Sequence, residues 1–485
     1  MGKVAGIDSS AAGTTVVVCD TDTGEVLRQG YAPHPVEGEA APAGKPTESD
    51  PQSWLLSLGE AAKDGLLEGV LAIGISGQQQ GLLALDAGGV LVRPALLRGD
   101  KRAQPQALDL TAALGGPAKW AQAVQSVPHA GYPVAKLRWL AEHEPAAAQR
   151  TAEVLLPHDW LVWQLLGRPQ RRTTDRGDAS GTGYWSAATG EYRSDLVELA
   201  LGHQVALPQV LGPAEPAGQT PEGLLISAGS GDTMAAALGL GVGPGDAVVS
   251  LGASSTVFAV HDEALTDPSG TITSFADATG RHLPLLQTRN AVRVLRATAE
   301  LLGTDLAGLS DLALRSTPGA YGLVLLPYLE GERTPDLPHT AGTLAGLRRE
   351  SMKPEHLARA AFEGMLCGLA DALEVLRGRG VAVRRIFLLG AAAELPAVRA
   401  IAPALFEAQV VVPQPGDHAA LGAARQAAWS LGVVLGSATA QEPPAWRTGG
   451  HRLLEPGDDL PVGQAIRQQY TAVREQTHPG AFAEV

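Results

Sequence analysis

Four short polar segments, each set between apolar runs, carry the residues of this chain that could do chemistry. Asp8 closes the run Val4-Ala-Gly-Ile7 and leads into Ser9-Ser10-Ala11-Ala12-Gly13. Gln78-Gln79-Gln80-Gly81 lies between the apolar stretches Leu71–Ile75 and Leu82–Leu85. Asp232 stands where the turn Ser227-Ala-Gly-Ser-Gly231 enters a helix-like run, Thr233-Met-Ala-Ala-Ala237. Gly252-Ala253-Ser254 joins Ala247–Leu251 to Thr256–Val260. A carboxylate at a glycine turn can be aimed into a cleft as a proton acceptor. Turns of small residues let backbone N–H groups approach an anion closely. Glutamine amides can donate to and accept from hydroxyl groups. The plain readings are also available: an aspartate before a helix is often only a cap, and most strand–glycine–strand turns are only hairpins.

The elements that must position these groups are legible in outline. Val4–Ile7, Thr15–Cys19, Leu71–Ile75 and Leu82–Leu85 read as strands, and Gln52–Leu66 as an amphipathic helix carrying Trp54, Leu55, Leu58, Ala62 and Leu66 near one face. This alternation predicts α/β architecture with a largely parallel or mixed sheet. The segment Val4–Val18 recurs in weaker form at Ala247–Val260, an apolar strand, a small-residue turn and a second strand, with Asp8 opposite Ser250. Two such hairpins, one per domain, could grip the phosphates of one nucleotide from both sides. Gly239-Leu-Gly-Val-Gly-Pro-Gly245 marks a boundary between domains. The expected division is 1–243, 244–437 and a tail 438–485 ending in a helix over Val462–Gln476.

Composition narrows the function classes. The 485 residues suggest roughly two to four domains. With 45% hydrophobic residues the chain can bury a sizeable core. A net charge of −14 argues against non-specific binding of nucleic acid, which rests on Lys and Arg. The two cysteines, Cys19 and Cys367, read as reduced core thiols. No signal segment or apolar run of membrane-spanning length is seen, so the cytoplasm is the expected address and neither a membrane nor a nucleic acid the expected partner. Gly38–Lys45 superficially matches a phosphate-binding loop, but its spacing is one residue too long and Pro46 replaces the required Ser or Thr. The twelve histidines show no metal-ligand spacing. Asp100 and Arg102 read as a solvated pair, His158 as satisfied by local hydrogen bonds, and Trp139 as core packing.

Two longer stretches make a resemblance specific. Gly131-Tyr-Pro-Val-Ala-Lys136-Leu-Arg-Trp139-Leu-Ala-Glu-His143 is one. Gly342-Thr-Leu-Ala-Gly346-Leu347, with His356-Leu357 and Ala360-Ala-Phe-Glu363, is the other. They fit the two signatures of the FGGY carbohydrate kinases, which belong to the actin/hexokinase/Hsp70-like superfamily, and the resemblance runs from about Val4 to about Trp429. Leu326-Pro-Tyr-Leu-Glu-Gly-Glu-Arg-Thr-Pro335, Leu156-Pro-His-Asp159-Trp-Leu161 and Leu421-Gly-Ala-Ala-Arg425 resemble segments of the family's xylulokinase branch.

The resemblance implies a two-domain, ribonuclease H-like fold with a cleft between the domains. It implies ATP-dependent phosphorylation of a small ketose, D-xylulose first, with ATP and Mg2+ as cofactors. Asp232 would be the catalytic base and Asp8 would hold magnesium through water. Gln79, Gln80, Asp100 and Asp232 would contact the sugar. Ser10, Ala11 and Ala12, with Gly252, Ala253 and Ser254, would cradle phosphates, and Gly390 and Ala391 would lie under the adenosine. A homodimer is left open. The sequence departs from the family pattern at Ser10, Ala11 and Ala253 in the phosphate turns and at Ala391 and Ala392 in the adenosine turn. It departs again at Gln79-Gln80 for Met-His, Arg98-Gly99 for Trp-Asn, and Thr233 for Asn. These changes keep two alternatives open: a kinase for another ketose, aldonate or polyol, and a sugar or nucleotide sensor without turnover.

Overall fold

The computed structural model describes residues 2–35, 48–446 and 450–482. The rejected phosphate-loop segment and most of the Pro-rich stretch around it lie outside those residues. Seven strands build the first sheet: β1 (Lys3–Ser9), β2 (Gly13–Asp20), β3 (Val26–Pro33), β4 (Val70–Gly77), β5 (Pro216–Gln219), β6 (Leu225–Ser227) and β7 (Ser230–Gly231). Their order is β5-β6-β4-β1-β2-β3, with β7 also pairing β4. Strands β1, β6 and β7 run parallel to β4, while the β1–β2, β2–β3 and β5–β6 pairs are antiparallel, so the sheet is mixed.

The second sheet repeats the plan with β8 (Gly245–Leu251), β9 (Ser255–Ala259), β10 (Thr273–Ala276), β11 (His282–Thr288), β12 (Val383–Leu389), β13 (Gln409–Pro413) and β14 (His451–Leu454). The order is β10-β11-β9-β8-β12-β13-β14. The weak internal repeat of the sequence is thus a structural one: β1–β2 and β8–β9 are equivalent antiparallel hairpins. Strand β14 forms the edge of this sheet, so part of the segment after residue 437 is built into it.

Helix α1 (Gln52–Ala61) packs Trp54 and Leu58 on one face of the first sheet. The helix is shorter than the Gln52–Leu66 expected, because Asp64 and Gly65 take left-handed backbone angles (φ 58° and 72°) and residues 62–69 fold as turns. Helices α2 (Pro133–His143), α3 (Pro157–Leu165) and α4 (Arg176–Ala179) follow. Trp160 of α3 meets Trp54 edge-on at 6.0 Å within the same core.

Two helices cross between the halves. Helix α5 (Asp232–Leu240) leaves the first sheet, and its Met234, Ala237, Leu238 and Leu240 pack with Val248, Phe258 and Phe387 of the second. The opposite face of the second sheet is covered by α6 (Pro354–Gly378), α7 (Pro396–Phe406) and the terminal α9 (Leu460–Thr477), whose Ile466 and Tyr470 enter that core. Helix α8 (His418–Val434) comes from the second half, yet its Ala420, Ala424 and Ala427 pack against Val4, Val17 and Ala72 of the first sheet. Glycines make this seat possible. A Cβ on Gly6 would overlap Ala420 O, and one on Gly74 would overlap Ala423 O. Gly239 and Gly422 do the same where α5 and α8 cross. With no side chain between them, helix backbone lies directly on strand backbone.

Candidate active site

Side chains alternate along β1, so Val4, Gly6 and Asp8 share the face that α8 covers. Asp8 therefore ends near the N-terminus of α8, where Asp417 caps the helix by accepting the Ala420 N–H at 2.9 Å. Asp8 is buried and accepts a 2.7 Å hydrogen bond from Ser76 Oγ. Burial and the neighbouring carboxylates of Asp417 and Asp232 raise its pKa to about 8, against the opposing effect of Ser76.

Asp232 reaches the same place from the other side of β4. Strand register pairs Asp8 with Ser76, and Gly231 with Gly77, so β1 and β7 flank the end of β4 and deliver the two aspartates as neighbours. Asp232 opens α5 directly after Gly231. It is half-buried rather than freely exposed. Burial raises its carboxyl above the ordinary range, opposed by the Arg98 charge and by Thr233 Oγ1, which donates to Oδ1 at 3.1 Å. A carboxylate held half-dry and somewhat more basic than usual suits proton acceptance.

The glutamines are buried beside it. Gln79 lies against Gly231, where any Cβ would collide with its Cγ, and its Nε2 points to Met234 Sδ at 3.3 Å. Gln80 takes a left-handed φ of 62°, and its Oε1 is buried without a protein partner. Its backbone carbonyl accepts from Lys136 Nζ at 2.5 Å, and the same ammonium reaches Leu96 O at 3.2 Å. Lys136 is fully buried, and desolvation lowers its pKa to about 7. The signature lysine thus shapes the turn that carries the glutamines.

Asp100 is not part of a solvated pair. It is 1% exposed, accepts the Arg102 N–H at 2.9 Å and stands 2.9 Å from Arg102 Nε, beneath which lies the Trp139 ring. It neighbours Lys136 electrostatically.

His158 also differs from expectation, because two of its three partners, Asp175 and Asp178, are distant in sequence. Its Nδ1 is 2.8 Å from Asp178 Oδ2, and its Nε2 is 3.1 Å from Asp159 and 3.7 Å from Asp175. Helix α4 creates this group: Asp175 caps it by accepting the N–H groups of Gly177 and Asp178. All four residues are buried. His158, Asp175 and Asp178 have donor atoms close enough to suggest a metal site, but the direct imidazole–carboxylate contact makes the group an ion pair.

The phosphate-turn candidates form two exposed tips. Ala11 and Ala12 sit at the β1–β2 turn, with Ser10 half-buried beside them. Gly252, Ala253 and Ser254 form the equivalent β8–β9 turn. Ser250 pairs with Leu389 across β8 and β12, which brings Gly390 and Ala391 next to the second tip. Gly390 has φ 97°, and a Cβ there would meet Leu251 O at 2.5 Å, so this position demands glycine. Ser76, Arg98, Lys136 and Asp417 were given no role from the sequence. Lys136 carried a signal as part of a signature, and Arg98 as a departure from the family pattern.

Residues 3–239 match the N-terminal domain, and 247–431 the C-terminal domain, of the FGGY family of carbohydrate kinases. The chain is similar to a xylulose kinase of Streptomyces coelicolor, 40% identical over 93% of this chain and 92% of that one. It is likewise similar to a xylulose kinase of Streptomyces rubiginosus, 41% identical over 93% and 92%. The solved structure of the xylulose kinase from Bifidobacterium adolescentis superposes with a TM-score of 0.88 at 36% identity, covering 98% of this chain and 99% of that one.

Proposed function

Because the chain belongs to the FGGY family of carbohydrate kinases, with the two-domain actin/hexokinase/Hsp70-like fold, we propose that it phosphorylates D-xylulose at the expense of ATP, giving D-xylulose 5-phosphate and ADP. Its similarity to xylulose kinases over nearly its full length supports the substrate. The observation that carries the mechanism is the convergence of Asp8 and Asp232 at the end of β4.

In this reading Asp232 accepts the proton of the 5-hydroxyl as that oxygen bonds to the γ-phosphorus. The bond between the γ-phosphorus and the bridging oxygen breaks, and ADP leaves with the electron pair. Gln79, Gln80 and Asp100 bind the sugar or shape its pocket. The tips at Ser10–Ala12 and Gly252–Ser254 meet phosphate oxygens, and Gly390-Ala391 lies under the base. Residues 1–243 would hold the sugar and 244–437 the nucleotide. A hydrated magnesium ion fits the acidic group, because burial and the Asp417 and Asp232 charges disfavour the ionised Asp8 and a cation would relieve that cost. Asp8 would hold it through water, and it would neutralise charge on the phosphates. No helix among the described residues is long and apolar enough to cross a membrane. The cytoplasm, where ATP is available, and a homodimer complete the proposal.

A coupled ADP-release assay across D-xylulose, other pentuloses, gluconate, glycerol and tetritols tests the substrate. Highest kcat/KM on D-xylulose is expected. Equal or better turnover on any other compound would move the protein to the second reading, a kinase for another ketose, aldonate or polyol. One position favours that second reading: Arg98 replaces an aromatic wall and places a positive charge beside Asp232.

A further inference from the structure

The β1–β2 tip has internal order that its exposed position does not suggest. Ser10 N–H donates to Gly13 O at 3.0 Å, and Ser10 Oγ donates to the same carbonyl at 3.0 Å. The hydroxyl also accepts from the N–H groups of Ala12 and Gly13, at 3.2 and 3.3 Å. His34, which follows β3, engages the turn from the opposite side. Its backbone N–H donates to Ala12 O at 3.0 Å, and its Nε2 lies 2.9 Å from Ser10 O. A carbonyl oxygen can only accept, so Nε2 carries the ring proton. Partial burial keeps the imidazole below its ordinary pKa, against the effect of the Ser10 bond. In the neutral ring Nδ1 lies 3.0 Å from Ser57 Oγ, a buried hydroxyl of α1 that shares its one proton among Nδ1, Pro33 O and Ser53 O.

Two carbonyls of the tip are therefore drawn to the His34 side. In a trans peptide unit the C=O and the following N–H point in opposite directions. Pinning the Ser10 and Ala12 carbonyls aims the Ala11 and Gly13 N–H groups at the other side, and Ser10 Oγ sits there to collect from Gly13. The Ser10, Ala12 and Gly13 N–H groups are satisfied within the turn, and the Ala11 N–H, without a partner among the described residues, is presented on the face away from His34. The chain of contacts runs from the body of the domain, α1, through Ser57 and His34 to the tip.

We propose that His34 is a positioning residue for the nucleotide, holding the Ser10–Gly13 turn with its unengaged Ala11 N–H facing the phosphates while touching none of them. This rests on the reading that the tip meets the phosphates. Small exposed turns otherwise sample several conformations, and ordering them at the moment of binding weakens affinity.

Steady-state kinetics of the full-length enzyme tests this with four variants. His34→Ala should raise KM for ATP about five- to tenfold, with kcat and the sugar KM within about twofold of wild type. His34→Gln places an amide nitrogen near the position of Nε2 and should recover most of that loss. Ser57→Ala leaves the imidazole in place but removes the hydroxyl beside Nδ1, together with its contacts to Pro33 O and Ser53 O, and should give a smaller rise, which keeps the test valid if His34→Ala fails to fold. Ala11→Asp puts a carboxylate among the donors and tests the tip itself. A raised KM for ATP in Ala11→Asp beside unchanged values in the His34 and Ser57 variants would overturn the role of His34 and leave the tip reading standing. No change in any of the four would overturn the tip reading. A sugar KM that rises with the ATP KM in His34→Ala would reduce His34 to a general stabiliser and also overturn the proposal.

Discussion

Ser76 Oγ donates a 2.7 Å hydrogen bond to Asp8 Oδ1 across two parallel strands in which the residues are register partners. The bond crosses from β4 to β1 at the point where both strands end, beside Asp232 and beneath the cap of α8. It favours the ionised carboxylate, while burial and the Asp417 and Asp232 charges oppose it with a larger combined effect. The balance raises the Asp8 carboxyl to about 8, and the magnesium ion proposed above would favour its ionised form.

The pH dependence of stability follows with a definite sign. The pKa of Asp8 is about 8 in the folded state, against an ordinary value near 3.8 in the unfolded chain. Between those values the folded protein binds the extra proton, so this group lowers stability as pH rises from about 4 to about 8. Asp8→Asn should remove that slope, raise the thermal midpoint of the metal-free protein at pH 8 by a few degrees, and abolish turnover. Parallel thermal scans of wild type and variant from pH 5 to pH 9 measure it. A wild-type midpoint falling no faster than the variant's over this range would contradict the assignment.

Asp232 should behave as a base and not as a scaffold. Asp232→Ala should lower kcat by about 10²- to 10⁴-fold, the range for loss of a general base, with the sugar KM changed little. Single-turnover kinetics with the nucleotide prebound separates chemistry from product release. A kcat within tenfold of wild type would remove Asp232 from proton transfer.

Much of this arrangement was legible because it is local in sequence. Asp8 and Asp232 each sit at a strand end inside a turn of small residues, and each half repeats its hairpin, so alternation and turn chemistry marked them as candidates, while the roles proposed for them came from the family resemblance. What escaped depends on which surfaces meet. The Asp100–Arg102 pair was legible from its spacing, but it looked solvated because nothing near it in sequence says that Trp139 packs on Arg102. Lys136 lay in plain view within a signature, but its work, holding the Gln80 carbonyl, needs the spatial neighbour. The shorter α1 turns on Asp64 adopting a left-handed angle, which propensity does not favour for a non-glycine residue. The seating of α8 on the opposite half is announced only by glycines, whose meaning appears once their neighbours are known.

Those glycines give a contrast that needs no activity assay. Gly6→Ala would drive a methyl group into Ala420 O, backbone that cannot rotate aside. The loss should exceed the roughly 1–3 kcal/mol of ordinary overpacking, because β1 and α8 must separate. Gly59→Ala is the control: it is an exposed position in α1 with nothing within 4 Å of the added carbon, and it should stabilise by about 0.5–1 kcal/mol. Denaturant midpoints of both variants decide the matter. Similar values for the two would mean that the α8 seat is not tight.

The His158 group makes the sharpest electrostatic prediction. Burial disfavours its charge, but Asp159, Asp178 and Asp175 together outweigh that and raise the imidazole to about 9. A raised histidine stabilises the fold fully below its unfolded value of about 6.5, and the contribution is lost as pH climbs through about 9. His158→Gln keeps a polar side chain but leaves three buried carboxylates without their cation. Breaking a buried pair in this way costs about 3–5 kcal/mol. The remaining carboxyls can escape the cost by binding protons. Burial, the first cause, already raises Asp159 to about 7 and Asp175 to about 6, and without the imidazolium both rise further. The variant's deficit should therefore be smaller at pH 5 than at pH 6.5, as carboxyl protonation replaces the missing charge, and should fall again toward pH 9 as wild type loses the imidazolium. Urea unfolding of both proteins at pH 5, 6.5 and 8 reads the difference directly. A deficit independent of pH would mean that His158 is neutral and acts through packing, since shape alone does not titrate.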